Sequence, residues 1–287
     1  MRIFVTGGAG FIGTQLSKKL SSIHEVTVYD NFSNSNKENF PILKNLTLIV
    51  GDILDISKLT NSMKNHDVVI HLAAKTDVLD SISNPKNTFQ TNVQGTQNVL
   101  DACKFHNVSK IIITSSAAIY ESYNESIDEM GITNPLSPYG KSKLDMEKIT
   151  IDSKMNYSIL RLFNVYCSGN SNGVIANFNK NILKDNPLII YGTGEAIRDF
   201  IHVQDVVDAI IISMESKSGI YNIASGVGIS IINLAKLLIE LSGKNSKIIY
   251  HSSRQGEILY SVANIVKSQK ELGFYTKIPL NVGLKIL

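Results

Sequence analysis

Tyr139 and Lys143 stand four residues apart in the stretch Pro135-Leu136-Ser137-Pro138-Tyr139-Gly140-Lys141-Ser142-Lys143, which leads into a predicted helix over Gly140–Ile151. At that spacing two side chains share one helical face. An ammonium beside a phenol favours the phenolate, so Lys143 is expected to draw Tyr139 down from the ordinary tyrosine pKa of ~10. Some twenty residues earlier, the strand-like run Ile111–Thr114 opens into Ser115-Ser116-Ala117-Ala118-Ile119-Tyr120. A serine hydroxyl at a strand end can hold a reacting C–OH and share its proton. A base, a cation that tunes it and an orienting hydroxyl are the set that takes a proton from an alcohol. YxxxK alone recurs on bland surface helices, so its weight rests on its company.

That company begins at the N-terminus. The strand Arg2–Val5 runs into Thr6-Gly7-Gly8-Ala9-Gly10-Phe11-Ile12-Gly13 and then a helix, with Gly7, Gly10 and Gly13 in GxxGxxG spacing. Such a turn must bend sharply, let a phosphate approach the backbone and pack helix against strand. The N–H groups at Phe11, Ile12 and Gly13 then face a pyrophosphate at the positive end of the helix dipole. The second strand ends Thr27-Val28-Tyr29-Asp30, about twenty residues on, where a carboxylate accepts from ribose hydroxyls and repels a 2′-phosphate. The following Asn31-Phe32-Ser33-Asn34-Ser35 contains no arginine. NAD is therefore expected as cofactor rather than NADP, and its positive nicotinamide would favour the Tyr139 phenolate as Lys143 does.

Elements that could position these groups alternate along the chain. Short Val/Ile-rich runs (Ile3–Val5, Val26–Tyr29, Leu46–Val50, Val68–Leu72, Ile111–Thr114, Ser158–Phe163) are separated by helix-like segments (Phe11–Ser21, Ile56–Lys64, Thr88–His106, Gly140–Ile151). Alternation of this kind predicts an α/β fold, a Rossmann-type doubly wound parallel sheet covered on both faces. Beyond Phe163 the pattern shifts to short strands mixed with helices such as Ser230–Leu241 and Ile265–Leu272. Two interleaved lobes are expected: 1–164 binding NAD, with 198–217 returning to it, and 165–197 with 218–287 forming a smaller mixed α/β substrate lobe.

Arginine usage points to the substrate. The 287 residues include four arginines, Arg2, Arg161, Arg198 and Arg254, against 24 lysines. In so lysine-biased a chain an arginine is expected where its planar fork is needed. Arg198 and Arg254, both in the second half, are expected to converge on a pyrophosphate; the bland reading is a surface salt bridge, worth little. Arg161 is expected to be structural.

The net charge of +3 is too balanced to imply a nucleic-acid or membrane-surface partner. Two cysteines, Cys103 and Cys167, build no disulfide framework and no zinc pair, and a reducing compartment fits. No metal site is expected. The chain opens Met1-Arg2-Ile3-Phe4-Val5 straight into the glycines, and no apolar run reaches membrane length, so a cytoplasmic protein is expected.

Over residues 1 to about 275 the chain resembles the extended short-chain dehydrogenases/reductases, in particular the NAD-dependent sugar-nucleotide epimerase/dehydratase family. The resemblance rests on TGGAGFIG, YDNFSNS, GDILD, HLAA, TNVQGTQNV, SSAAIY, PYGKSK, RLFNVY and GEAIRDFIHVQD. It implies that Asp30, Asn31, Asn34 and Ser35 hold the adenosine ribose region, that Asp52 and Ile53 flank the adenine, and that Leu72, Ala73, Ala74, Asn92 and Thr114 line the cofactor. Ser116, four residues before Tyr120, becomes the catalytic hydroxyl. Tyr139 is the base, and Lys143 also holds the nicotinamide ribose. Asn164, Val174, Tyr191, Arg198, Arg254 and Glu257 fall on the substrate, a UDP-sugar, with Tyr191 near the uracil and Glu257 on the nucleotide ribose. Ser261, seven residues after Arg254, borders the sugar's C2 substituent and leaves room for an N-acetyl group; the alternative is a shifted loop that touches nothing. A homodimer is the family's habit. Thr76, Cys167 and Asn264 depart from the pattern, where relatives carry lysine, glycine and aspartate.

The implied activity is C4 epimerisation of a UDP-sugar through a transient 4-keto intermediate. A dehydratase or decarboxylase of the same family needs an acid and a base beside the serine, where this chain has Ala117-Ala118. A non-catalytic NAD-binding protein would be free to lose the tyrosine or lysine, and both are present.

Overall fold

The computed structural model describes the chain except residues 122, 169–172, 254–257 and 287. Its strands are β1 (Arg2–Thr6), β2 (Glu25–Asp30), β3 (Leu46–Val50), β4 (Val68–His71), β5 (Lys110–Ser116), β6 (Tyr157–Leu162), β7 (Asn164–Tyr166), β8 (Leu188–Tyr191), β9 (Ile197–His202), β10 (Gly219–Ile223), β11 (Gly228–Ser230), β12 (Ile248–His251) and β13 (Tyr260–Ser261). Helices α1 (Phe11–Leu20), α2 (Ile56–Ser62), α3 (Val78–Ser83), α4 (Pro85–Phe89), α5 (Gly95–Phe105), α6 (Pro138–Asp152), α7 (Val174–Leu183), α8 (Val203–Ser213) and α9 (Ile231–Ser242) lie between them. One seven-stranded sheet has the order β10-β6-β5-β4-β1-β2-β3, and its β3-β2-β1-β4-β5 pairs are parallel. This is the Rossmann order, whose direction reverses between β1 and β4. The strands are continuous β-branched runs because both faces are covered: Ile3, Phe4, Val5, Val69, Ile70 and Ile111–Ile113 are fully buried.

Two units make up the chain, the larger from Met1–Glu121, Ile132–Arg161 and Val207–Tyr221 and the smaller from the rest. The larger core packs Phe4, Tyr29, Val69 and Ile111 with Val99, Leu100 and Cys103 of α5. The smaller gathers Phe178 and Ile182 of α7, Leu188 and Ile190 of β8, and Leu234 and Leu238 of α9. The expected boundaries shift: the stretches 123–131 and 162–164, expected in the NAD-binding lobe, belong to the smaller unit, because contacts with distant segments decide which unit they join. Strand β9 does not return to the large sheet but pairs with β7, β11 and β13, so the returning stretch starts inside α8 at Val207. Strand β10, expected in the substrate lobe, is instead the outer strand of the large sheet. A strand–helix pattern is local, whereas the sheet a strand joins is chosen by distant partners.

The helix expected over Thr88–His106 is interrupted. A wide π turn at Gln90–Gln94 separates α4 from α5. It brings Asn92 inward to hydrogen-bond outside its own helix. Among the described residues no helix is long and apolar enough to cross a membrane.

Candidate active site

The glycine turn follows β1 at the switch point. Gly7 has φ +68°, a left-handed conformation, and a Cβ there would lie 2.5 Å from Ala73 N. A Cβ at Gly13 would lie 2.3 Å from Gly7 O, so α1 can pack this closely only on a glycine. A Cβ at Gly10, by contrast, would meet only Gly7 O, at 3.3 Å, so the space on that side is otherwise open. Helix α1 starts at Phe11 with no side-chain cap and no acidic residue in its first turn. Its first N–H groups therefore lack intrahelical partners and favour an anion. This uncovered cradle fits the pyrophosphate of a dinucleotide.

Asp30 closes the turn. Its carboxylate accepts from Ala9 N–H at 2.9 Å and Phe32 N–H at 2.7 Å, clasping the glycine turn to the end of β2. Beside it Asn31 donates to Asp52 at 2.8 Å, and Asp52 accepts Leu54 N–H at 2.9 Å. Ile53 is buried, and its carbonyl accepts from Asn98. Asn34 is exposed and Ser35 half-buried. Leu72, Ala73 and Ala74, all half-buried, follow β4 next to Gly7. Asn92 directs its side chain to protein, accepting from Lys75 N–H at 2.7 Å and donating to Lys75 O at 3.0 Å and Ser142 Oγ at 2.9 Å.

Ser116, Tyr139, Lys143 and Thr114 come together on the same unit. Ser137 caps α6 by accepting Gly140 N–H at 3.1 Å, and Pro138 occupies the first turn, where its missing N–H costs nothing. A Cβ at Gly140 would lie 2.3 Å from Ala118 O, so glycine lets the helix start pack against the 117–119 turn. Tyr139, 9% exposed, has the Ser116 side chain beside it, whose Oγ accepts Ala118 N–H at 3.1 Å. Lys143 Nζ donates to Thr114 O at 3.0 Å. The expected fall in the tyrosine pKa is overturned for the chain by itself. Burial pushes the Tyr139 phenol above its ordinary value, and the neighbouring Ser116 hydroxyl only partly opposes this. Burial likewise lowers Lys143 to about 8, with the Glu147 charge pulling the other way.

Behind this group lies a buried assembly that the sequence did not disclose. Arg161 of β6 donates to both carboxylate oxygens of Glu147, one turn after Lys143, at distances from 2.7 to 3.3 Å. It also donates to Tyr120 Oη at 2.8 Å. Burial works against its charge, but the bonds and charge of Glu147 outweigh that and hold the guanidinium above its ordinary range. The structural role expected of Arg161 is this clamp on α6.

In the smaller unit, Asn164 and Val174 line a cavity of about 120 Å³ together with Tyr166, Cys167 and Phe200. Arg198 lies on β9 and Ser261 is its register partner on β13. Ser261 is thus a buried strand residue rather than part of a loose loop. Tyr191 sits apart on β8, 38% exposed, its ring 5.8 Å from His251. Arg254 and Glu257 lie outside the described residues. Sequence reasoning missed Asp199, the neighbour of Arg198. Its buried carboxylate accepts from Ser225 N–H and Oγ–H, Gly226 N–H and Ala263 N–H, at 2.6 to 3.3 Å, and so joins β9 to the segment after β13 and to the 225–226 turn. The signal was an acidic residue within the strand-like stretch Ile197–His202.

A doubly wound sheet with an open glycine cradle at its switch point and a Ser–Tyr–Lys group beside it defines a dinucleotide-dependent enzyme that acts on an alcohol carbon. Residues 3–224 match the NAD dependent epimerase/dehydratase family, and the chain belongs to that family. UDP-glucose 4-epimerase of Yersinia enterocolitica is 33% identical over 96% of this chain and 93% of its own length. Among solved structures, the UDP-glucose 4-epimerase of Thermotoga maritima with UDP-glucose is similar with a TM-score of 0.95 and 32% identity, covering 100% of this chain and 97% of its own. A UDP-N-acetylglucosamine 4-epimerase from Methanobrevibacter ruminantium M1, in complex with UDP-N-acetylmuramic acid, has a TM-score of 0.94 and 32% identity over 99% and 96% of the two chains.

Proposed function

We propose that the chain is an NAD-dependent 4-epimerase of UDP-sugars. The observation that carries this is the buried Tyr139 beside Ser116, with Lys143 held on Thr114 O one turn away on the same helix. Bound NAD supplies a hydride acceptor for the sugar's C4 and a positively charged ring. Gly7, Gly10, Phe11, Ile12, Gly13 and Asp30 are the residues that would hold it. Tyr139 takes the proton of the C4 hydroxyl and returns it after inversion, while Ser116 hydrogen-bonds the same oxygen. Since burial raises the phenol pKa, Tyr139 needs positive charge to serve as a base, and Lys143 provides it below its pKa of about 8. The dehydratase reading is not favoured. The residues after Ser116 are Ala117 and Ala118 in a short 3₁₀ turn, and their methyl groups move no protons.

Substrate roles follow the same reading. Arg198 and Arg254 bind the diphosphate, Asn164, Val174, Tyr191 and Glu257 the remainder of the nucleotide-sugar, and Ser261 leaves room for an acetamido group. The likeness to a UDP-N-acetylglucosamine 4-epimerase supports that room. A cytoplasmic homodimer completes the reading, checked by light scattering of the purified protein. The deciding experiment incubates the protein with UDP-glucose, UDP-galactose and their N-acetyl forms and follows C4 by NMR. Inversion without net NADH formation is expected on both pairs, and Ser261→Tyr should slow the N-acetylated pair selectively. Loss of water, or no inversion on any sugar, overturns the reading.

A further inference from the structure

His71, the last residue of β4, is fully enclosed and plays no part in the mechanism above. Its Nδ1 lies 2.6 Å from Thr6 Oγ1 and its Nε2 2.9 Å from Thr96 Oγ1. The donors can be ordered. A threonine hydroxyl has one proton, and that of Thr96 is committed to Asn92 O at 2.5 Å. Thr96 Oγ1 must therefore accept from His71, which places the imidazole proton on Nε2. A neutral ring has one N–H, so Nδ1 is an acceptor and Thr6 Oγ1 donates to it. Thr6 Oγ1 in turn receives Ala73 N–H over a long 3.4 Å. Beyond Asn92 the path continues. Its amide donates to Ser142 Oγ at 2.9 Å, and Ser142 Oγ donates to Tyr139 O at 2.7 Å. Every donor in the series meets an acceptor, and the series ends on the backbone of the proposed base itself.

We propose that His71 is a positioning residue for the proton-transfer pair. In its Nε2–H form it links the strand that opens the glycine turn, through Thr96, Asn92 and Ser142, to the first turn of α6, and so sets where Tyr139 and Lys143 stand relative to residues 72–75. Its role rests on the epimerase reading, but the hydrogen-bond order does not. Burial, reinforced by the Lys143 charge, lowers the His71 pKa to about 3, which keeps the ring neutral as the order requires. The π turn that interrupts the expected 88–106 helix has a reason here, since it carries Asn92, which contributes both its carbonyl and its amide to the series.

The test has two independent arms. With ¹⁵N-histidine labelling, two-bond ¹H–¹⁵N spectra report the tautomer of each of the six histidines. The signal lost in His71→Gln identifies His71, which should show Nε2–H and no protonation between pH 5 and 8. An Nδ1–H tautomer or an imidazolium at pH 7 overturns the order, whatever the activity. In the second arm, His71→Leu removes both bonds, whereas His71→Gln restores one acceptor and one donor. On the sugar that the wild type inverts, His71→Leu should lower kcat by about 10-fold or more with KM within about threefold, and His71→Gln should recover most of it. A folded His71→Leu with kcat within about twofold of wild type overturns the positioning role. Should His71→Leu not fold, Thr96→Val and Ser142→Ala each remove one link and should each lower kcat by about threefold or more; wild-type kcat in both overturns it. A wild type inert on every UDP-sugar would refute the epimerase reading alone and leave the tautomer result standing.

Discussion

Gly140→Ala sets two physical effects against each other. Alanine in a helix is ordinarily better than glycine by about 0.5–1 kcal/mol, so propensity predicts a more stable protein. The packing predicts the reverse. A Cβ at this position would lie 2.3 Å from Ala118 O and 2.9 Å from Pro135 Cβ. A relaxed C···O contact needs about 3.3 Å, so helix and turn must part by about 1 Å. The obstructing atom is a backbone oxygen, and its turn is tied to Ser116 through the Ala118 N–H bond at 3.1 Å, so no flexible side chain can absorb the shift. Ser116 lies on one side of that contact and Tyr139 on the other. A displacement of about 1 Å between reacting groups is worth about 10²-fold in rate, and overpacking of this kind costs about 1–3 kcal/mol. We therefore expect kcat for C4 inversion, followed by NMR, to fall by about 10²-fold, with a lower melting temperature and the protein still able to bind NAD. A higher melting temperature with kcat within about threefold of wild type would refute the packing reasoning.

Arg161→Met leaves Glu147 buried without its partner and should cost about 3–5 kcal/mol in denaturant titration, while Arg161→Met with Glu147→Leu recovers most of the loss; a double variant no more stable than the single one contradicts this. Tyr139→Phe should lower kcat by about 10²–10⁴-fold and keep NAD binding, with Ser116→Ala losing less; near-normal turnover of Tyr139→Phe removes it as the base. Asp30→Ala removes the carboxylate assigned to the ribose hydroxyls, and at about 1.5–3 kcal/mol per charge-assisted bond, calorimetry should show NAD affinity down by about tenfold or more and less discrimination against NADP. Tighter binding of NADP than NAD by the wild type contradicts the role given to Asp30. His71 has a folded pKa of about 3 against 6.5 in the unfolded chain, so its contribution to stability is complete above pH 6.5 and is lost as pH falls toward 3. Between pH 7 and 5 the wild type should lose about 2 kcal/mol more than His71→Gln in urea titrations, and equal losses would remove His71 as the cause.

The glycine spacing, Asp30 at the end of β2 and the YxxxK pair were all legible in the chain because each is a local arrangement. A strand–turn–helix needs glycine where φ is positive or backbones touch, and four residues make one helical turn whatever surrounds it. The alternation of Val/Ile runs with amphipathic stretches likewise foretold the doubly wound sheet, since parallel strands are buried on both faces. What remained hidden depends on residues far apart in sequence. Arg161 and Glu147 are separated by 14 positions and His71 and Thr6 by 65, and no spacing rule connects them until β4, β6 and α6 are packed. The sheet joined by β9 was open for the same reason, because its buried Asp199 draws bonds from residues 225, 226 and 263. Even the direction of the Tyr139 shift was a tertiary matter. The neighbouring lysine is written in the sequence, but the desolvation that overrides it exists only once the helix is closed against the 117–119 turn.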